Sequence, residues 1–262
     1  MLTMGVFLFD EMIFGPVRSR RLGVSLGLNL LPTYKKVCSF NCIYCECGWT
    51  GETRPEAGKI PNVEEYSLGL MEKLRQLQGT ELEPDSLTFA GNGEPTLHPD
   101  FAEIIDVTLV LRDQFAPNAT VSVLTNGSML HKKEVADALK KVENSLLKLD
   151  GGTEETIRAI NGPAKAFNLR AYVEQLKTFQ GRLVIQSLFL RGQHNGIAID
   201  NTTEDELAAW LNLISEIKPA KVMVYAIERD TAAHNLVKLP KDELEQIAQK
   251  VRQLGIETEV FA

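Results

Sequence analysis

The sequence predicts an α/β fold, a parallel sheet closed completely or part-way into a barrel of βα units. Three observations lead there. Strand-like and helix-like segments alternate along all 262 residues. The helix-like segments repeat apolar residues at three- and four-residue spacing. Polar and glycine-rich stretches then recur where the strands would end, the edge at which barrels of this kind carry their chemistry.

The elements follow in order. "VSLGLNLL" (24–31) reads as a first strand. "VEEYSLGLMEKLRQLQ" is a helix with Tyr66, Leu70, Leu74 and Leu77 on one face. "SLTFAG" is the second strand, and "FAEIIDVTLVLRD" is a helix aligning Phe101, Ile104, Ile105 and Thr108. "TVSVLTNG" is the third strand, stopped by Asn126-Gly127, and "HKKEVADALKKV" the next helix. "SLLKLDGG" gives the fourth strand, and "NLRAYVEQLKTF" a helix with Leu169, Tyr172, Val173 and Leu176 inward. "LVIQSLFL" is the fifth strand. A capping box, Thr203-x-x-Glu206, opens a helix burying Leu207, Trp210, Leu211 and Ile214. "KVMVYAI" is the sixth strand, "PKDELEQIAQKVRQLG" a helix entered through Pro240, and "IETEVF" a short closing strand. Six or seven βα units suit a barrel better than an open sheet, with right-handed crossovers. No linker, repeat or low-complexity tract interrupts them. One domain over 1–262 is expected, with 1–23 as an N-terminal extension packing on the barrel.

At 44% hydrophobic the chain can bury a full core. No apolar run approaches 18 residues, so no membrane span is expected. The apolar N-terminus lacks a basic leader and carries Asp10 and Glu11, a poor signal peptide, so a cytoplasmic protein is expected. Net charge is −7, which argues against wholesale polyanion binding. Within 1–36, Arg18, Arg20, Arg21, Lys35 and Lys36 stand against Asp10 and Glu11, a local +3. That cluster reads as a solvated face or as a small cationic patch for phosphate or carboxylate.

All four cysteines lie in "VCSFNCIYCECG", as Cys38-x₃-Cys42-x₂-Cys45 with Cys47 beyond. Disulfides spread along a chain to close loops, and these cannot. Clustered thiols in a reducing compartment point to metal binding or redox chemistry. A tetrahedral zinc would want a second ligand pair or nearby histidines, but His98, His131, His194 and His234 are all distant in sequence. Three closely spaced thiolates can instead hold three irons of a cubane cluster and leave the fourth iron open. Cys47 is a spare thiol, a redox or substrate-linked group, or a passive small residue, with the last favoured. One leftover cysteine cannot hold a second all-cysteine cluster.

With Tyr44 before the third cysteine, this spacing resembles the signature of the radical S-adenosylmethionine (SAM) superfamily, and the order of βα units is similar along essentially the whole chain. The resemblance implies a partial (β/α)6 TIM-like barrel of the radical SAM type. It also implies a 4Fe-4S cluster on Cys38, Cys42 and Cys45, with Tyr44 beside bound SAM. "FAGNGEPTLHPDF" is similar to the family's Gly-Gly-Glu motif, so Gly91, Asn92, Gly93 and Glu94 would meet SAM, with Glu94 accepting from its amino group. Asn92 departs from the usual first glycine. A dinucleotide-binding reading of Gly91-x-Gly93 fails, because Pro95 and Thr96 follow and no helix opens there. Thr125 and Asn126 resemble residues that reach the SAM ribose or carboxylate, or else form a plain Asn-Gly turn. Val224 and Tyr225 occupy the strand position whose backbone meets adenine, or are core alone.

The wider pattern, "GPVRSRRLGVSLGLNLLPT", "LKLDGGTEETIRAINGP" and "IERD", is similar to small members grouped with the tRNA wyosine-base synthase. The superfamily implies an enzyme that reductively cleaves SAM to a 5′-deoxyadenosyl radical, which abstracts hydrogen from a substrate. By position Asp150, Gln186, Arg229 and the group Arg18, Arg20 and Arg21 are substrate-pocket candidates. The substrate classes considered are a nucleobase in tRNA, a small molecule and a protein partner; a non-enzymatic metal module is the remaining reading. Flavodoxin or ferredoxin is the electron donor the family implies.

Overall fold

The computed structural model describes residues 7–51 and 60–262, so the first six residues of the expected N-terminal extension lie outside them. The chain falls into two compact units. One comprises Leu8–Cys38 and Thr50–Ser145, and the other comprises Phe7, Ser39–Trp49 and Leu146–Ala262.

In the first unit, β1 (Ile13–Ser19) runs antiparallel to β2 (Gly23–Leu28). The sequence had shown no strand at 13–19. The reason is Gly15-Pro16 in its middle, which lacks a donor and reads as a break. The ladder indeed slips between Phe14 and Val17, as proline at a sheet edge allows. Gly27 gives the Phe14 ring room, since a Cβ there would come within 2.1 Å of it. Helix α1 (Val63–Leu77) starts at an unforeseen capping box, Asn62 with Glu65, and buries the four expected residues. Next come β3 (Ser86–Phe89), α2 (Phe101–Phe115), β4 (Thr120–Thr125) and α3 (Lys133–Leu139). Strands β2, β3 and β4 are parallel neighbours. The α1 and α2 faces meet where the Tyr66 hydroxyl and Thr108 Oγ1 lie 2.7 Å apart, both buried.

The second unit begins within β5 (Asn144–Lys148). It continues through α4 (Glu154–Asn161), α5 (Leu169–Lys177), β6 (Val184–Leu188), β7 (Leu190–His194) and β8 (Ile197–Asp200). Helix α6 (Glu204–Ile217), β9 (Lys221–Tyr225), β10 (Leu236–Lys238), α7 (Lys241–Arg252) and β11 (Glu257–Phe261) complete it. Here β5, β6, β9 and β11 form a parallel ladder in that order. A side sheet of β10, β7 and β8 is antiparallel. It was not expected, because "LFLRGQHNGIAID" reads as one strand and its tail.

Helix α4 was also missed, although Thr153 caps Thr156 N and Gly162 ends it at φ +48°. Its Ile157 and Ile160 turn inward. At α6 two expectations need correction. Thr153 N, Thr153 Oγ1 and Gly152 N all donate to the Glu206 carboxylate, so it braces the loop after β5 instead of closing a capping box. Leu211 is half-buried, while Leu213 and Ile217 join Leu207, Trp210 and Ile214 inside.

Candidate functional site

The first unit gathers a polar site where β3 and β4 end. Gly93 sits at φ +138°, and a Cβ there would lie 1.9 Å from the Val37 carbonyl oxygen. That close approach is a small ladder: Glu94 N donates to Val37 O at 3.0 Å, and Val37 N to Asn92 O at 2.9 Å. Gly91, at φ +153°, leaves space that a Cβ would fill within 2.4 Å of Asn29 Oδ1. Only glycine serves at either position. The Asn92 side chain turns away from this loop to clamp the N-terminal segment. Its Nδ2 donates to Phe9 O (2.8 Å) and Pro32 O (3.0 Å), and its Oδ1 accepts from Phe9 N at 2.9 Å.

Glu94 is 2% exposed and caps the short helical turn Pro95–Leu97. Its Oε1 accepts from Thr96 N (3.1 Å) and from the Thr96 and Thr125 hydroxyls, the latter at 2.6 Å. Its Oε2 accepts from Asn126 N at 2.7 Å. Burial pushes the carboxyl pKa up, and the hydrogen bonds from Asn126, Thr125 and Thr96 offset this in part. Every donor is neutral, and among the described residues no cation pairs with it. Burying a carboxylate without a compensating cation is costly. Asn126 extends the set, with its Nδ2 3.6 Å from Cys38 Sγ.

In the second unit the cysteine segment lies along the end of α4. Asn41 N donates to Gly162 O and Ile43 N to Ile160 O, at 3.0 and 2.9 Å. Between them Cys42 is buried, and Asn161 Nδ2 donates to its Sγ at 3.4 Å. The same amide reaches Asp150 Oδ2 at 2.7 Å, while Leu188 N donates to Asp150 Oδ1 at 2.8 Å. The Tyr44 hydroxyl donates to Asp150, and Lys148 Nζ donates to that hydroxyl at 2.5 Å. Lys148 Nζ lies 3.5 Å from the Asp150 carboxylate. Burial disfavours the Lys148 ammonium, yet Asp150, with Tyr225, Cys42 and Cys45, raises its pKa well above the ordinary lysine value. Burial raises the Tyr44 pKa strongly, with Asp150 adding to it. For Cys42, burial raises the thiol pKa, while Lys148 and Asn161 oppose the rise. Cys45 and Cys47 are half-buried.

The remaining candidates are dispersed. Gln186 is buried and spends its amide on Leu146 O at 3.1 Å. Arg229 is exposed, 2.9 Å from Glu46 in the cysteine segment and 5.5 Å from the Phe7 ring centre. Val224 is wholly buried in β9, and Phe189 N donates to Tyr225 O at 3.0 Å. Arg18, Arg20 and Arg21 flank the β1–β2 turn. They therefore lie at the N-terminal end of β2, whereas Glu94 and Thr125 lie at the C-terminal ends of its parallel neighbours. Lys36 is buried, so the local +3 is not one patch. Sequence reading missed Lys148, Asn161, Thr96 and Asn29. Lys148 and Asp150, two apart in the segment read as the fourth strand, carried a legible signal; Asn161 carried none.

Two groups are implied, a 4Fe-4S cluster and SAM. Among the described residues no three His, Cys, Asp or Glu side chains converge closely enough to hold a metal ion as they stand. The test of the cluster is therefore the donor chemistry: three thiols in eight residues, with asparagine N–H groups directed at two of the sulfurs, suit iron–sulfur ligation. The glycine cradle and the cation-less Glu94 suit the aminoacyl end of SAM.

The family model of the Radical SAM superfamily matches residues 34–214. A UPF0026 protein of Helicobacter pylori (strain J99) is 31% identical over 237 residues, covering 88% of this chain and 71% of that protein. A protein of Brachyspira hyodysenteriae named GTPase Obg is 30% identical over 238 residues, covering 89% of this chain and 32% of that protein. This chain thus spans about a third of that relative's length. Among solved structures, TYW1 with a lysine-pyruvate adduct bound superposes with a TM-score of 0.61 at 17% identity, covering 89% of this chain and 75% of that one. The likeness bears out the expected α/β, partial (β/α)6 TIM-like fold.

Proposed function

The chain belongs to the radical SAM superfamily and shares a family with the UPF0026 proteins, and on that premise we propose that it acts on a nucleobase, carried in tRNA. Membership makes it an enzyme of the radical SAM class with a 4Fe-4S cluster and SAM. When bound, these supply a 5′-deoxyadenosyl radical able to take hydrogen from an unactivated carbon. Cys38, Cys42 and Cys45 would hold the cluster. Glu94 would hold the amino group of SAM, with Thr96, Thr125 and Asn126 fixing the carboxylate. The single observation that carries this assignment is Glu94, buried among neutral donors with no cation of its own among the described residues.

For the substrate, support comes from the motif resemblance. A lysine adduct of the kind bound in the TYW1 structure suits Lys148 poorly, because imine formation needs a neutral amine and Asp150 stands 3.5 Å away. A second reading, a small-molecule substrate, is favoured by the arginines, which lie at the other end of β2 from Glu94 and offer no basic rim beside it. The chemistry requires an external one-electron reductant, for which we propose flavodoxin or ferredoxin. No helix among the described residues is long and apolar enough to cross a membrane. The clustering of all four cysteines within ten residues accords with a reducing cytoplasm.

The test is anaerobic. The full chain is reconstituted with iron and sulfide, iron is counted, and 5′-deoxyadenosine is quantified after adding SAM and dithionite. About four irons and slow product formation are expected, both lost in Cys42→Ala. Zinc in place of iron, or a cluster that never cleaves SAM, would overturn the assignment. Adding total tRNA should then accelerate 5′-deoxyadenosine release; no acceleration, with full uncoupled cleavage, would reject tRNA alone.

A further inference from the structure

A pocket of about 490 Å³ opens in the second unit, on the side of the cysteine segment turned away from Asp150. The segment 41–43 pairs with α4's end, so its side chains alternate. Cys42 meets Asn161, whereas Asn41 and Ile43 line the pocket. Ile43 belongs to an apolar cluster with Ile160 and Leu190, and Trp49 packs against it. His194 stacks on Trp49, ring centres 5.4 Å apart and planes within 22°. The hairpin between β7 and β8 presents that imidazole through a two-residue turn, Asn195 at φ +50° and Gly196 at φ +77°. Asn195 Nδ2 lies 3.2 Å from His194 Nε2.

Arg158 completes the rim from α4. Its Nη2 donates to Glu154 at 3.1 Å and to Phe167 O at 3.3 Å, which fixes the guanidinium while its side chain stays 57% exposed. No carboxylate is among the residues lining the pocket. A stacked aromatic wall, an anchored guanidinium and two amides together select a planar ring that carries hydrogen-bonding edges and a negative charge. The volume suits a ligand of mononucleotide size.

We propose that this pocket binds one nucleotide, its base against the Trp49–His194 pair and its phosphate at Arg158. None of the residues lining the pocket belongs to the set around Glu94. The inference rests on the tRNA reading for the source of the nucleotide, not for its chemistry. A nucleotide of an RNA strand and a free nucleotide present the same groups.

The experiment uses the reconstituted full chain. Equilibrium dialysis measures AMP and GMP, and filter binding at two salt concentrations measures total tRNA. Arg158→Gln and His194→Ala should each weaken nucleotide or tRNA binding roughly tenfold or more, the loss expected for one phosphate contact or one stacked base. Iron content and tRNA-independent 5′-deoxyadenosine release should stay unchanged. Losses for tRNA assign the source to RNA. Losses for AMP or GMP without any tRNA binding keep the pocket and reject the tRNA reading. If tRNA binds and accelerates turnover equally in both variants, the tRNA reading stands and the pocket falls. Absence of binding by all three probes also overturns the pocket.

Discussion

Glu94 lies in the first unit and Asp150 in the second, and each is almost wholly out of water, at 2% and 1% exposure. Both accept hydrogen bonds from backbone N–H and side-chain groups. They differ in where a compensating positive charge comes from. Asp150 has Lys148 at 3.5 Å, on the same chain segment. Glu94 has four neutral donors and, among the described residues, no cation. A buried charge left unpaired is expensive, and it persists where function requires it. The contrast separates a finished internal pair, which holds Tyr44 and Asn161 beside Cys42, from a lone buried carboxylate that, as we propose, the ammonium of SAM would complete.

The largest effect expected is on the finished pair. Lys148→Met removes the cation and leaves Asp150 buried, so the folded state should lose about 3–5 kcal/mol, read by chemical denaturation. A loss below about 1 kcal/mol would mean that Asp150 is compensated by its neutral donors alone, and the contrast with Glu94 would collapse. No equivalent deletion exists at Glu94, because no cation among the described residues pairs with it and the partner we propose is SAM. There the expected effect is on binding. Glu94→Gln should weaken SAM roughly 10- to 100-fold, the range of a charge-assisted hydrogen bond in a buried setting. Dialysis of SAM against the reconstituted protein measures it.

The same residue gives the comparison a pH dependence. The Glu94 pKa is raised in the folded state above its ordinary 4.5. A group raised on folding contributes its stability fully below the unfolded value and loses it as pH rises through the folded value. Without SAM, the wild type should therefore lose stability relative to Glu94→Gln as pH climbs from below 4.5. Bound SAM should flatten that trend, since its ammonium stabilises the ionised form. A difference that does not change with pH would show that solvent reaches the carboxylate.

Much of this was legible in the sequence, and the gaps have physical causes. The expected inward faces of α1, α2 and α5 match, because their periodic apolar residues are core and little else competes there. Helix α4 was legible but overlooked: Thr153 and Gly162 are ordinary boundary signals around a helix of only eight residues. The side sheet was hidden, since Leu188, Phe189 and Leu190 run on as if in one strand. Glu206 obeyed the capping-box spacing yet turned to the loop at Gly152 and Thr153, a tertiary demand that no local pattern reveals. At the site, the cysteines stood out by their clustering and spacing, and Glu94 through the resemblance of its motif to the family's Gly-Gly-Glu pattern. Asn92 read as a departure from the family's first glycine within a SAM-contacting loop. Its three hydrogen bonds to Phe9 and Pro32 show that the position was used for joining the N-terminal segment.

The finest comparison is between the two asparagines that each unit directs at a thiol. Asn126 Nδ2 lies 3.6 Å from Cys38 Sγ, and Asn161 Nδ2 lies 3.4 Å from Cys42 Sγ. A donor to a ligating sulfur draws charge from it and makes the reduced cluster easier to reach, so it raises the reduction potential. Asn161 is the more secluded of the two, at 1% exposure against 4%, and Asp150 fixes its amide from the far side. Asn161→Leu keeps the volume and removes the donor. It should lower the potential by about the worth of one hydrogen bond, ~1 kcal/mol or roughly 40 mV for one electron. Redox titration followed by electron paramagnetic resonance reads that shift without any turnover. Asn126→Leu should give a smaller one, because its contact is longer. If instead Asn126→Leu moves the potential further, electrostatic control of the cluster resides with the Glu94 unit, and the Asp150 network serves only to pack the cysteine segment.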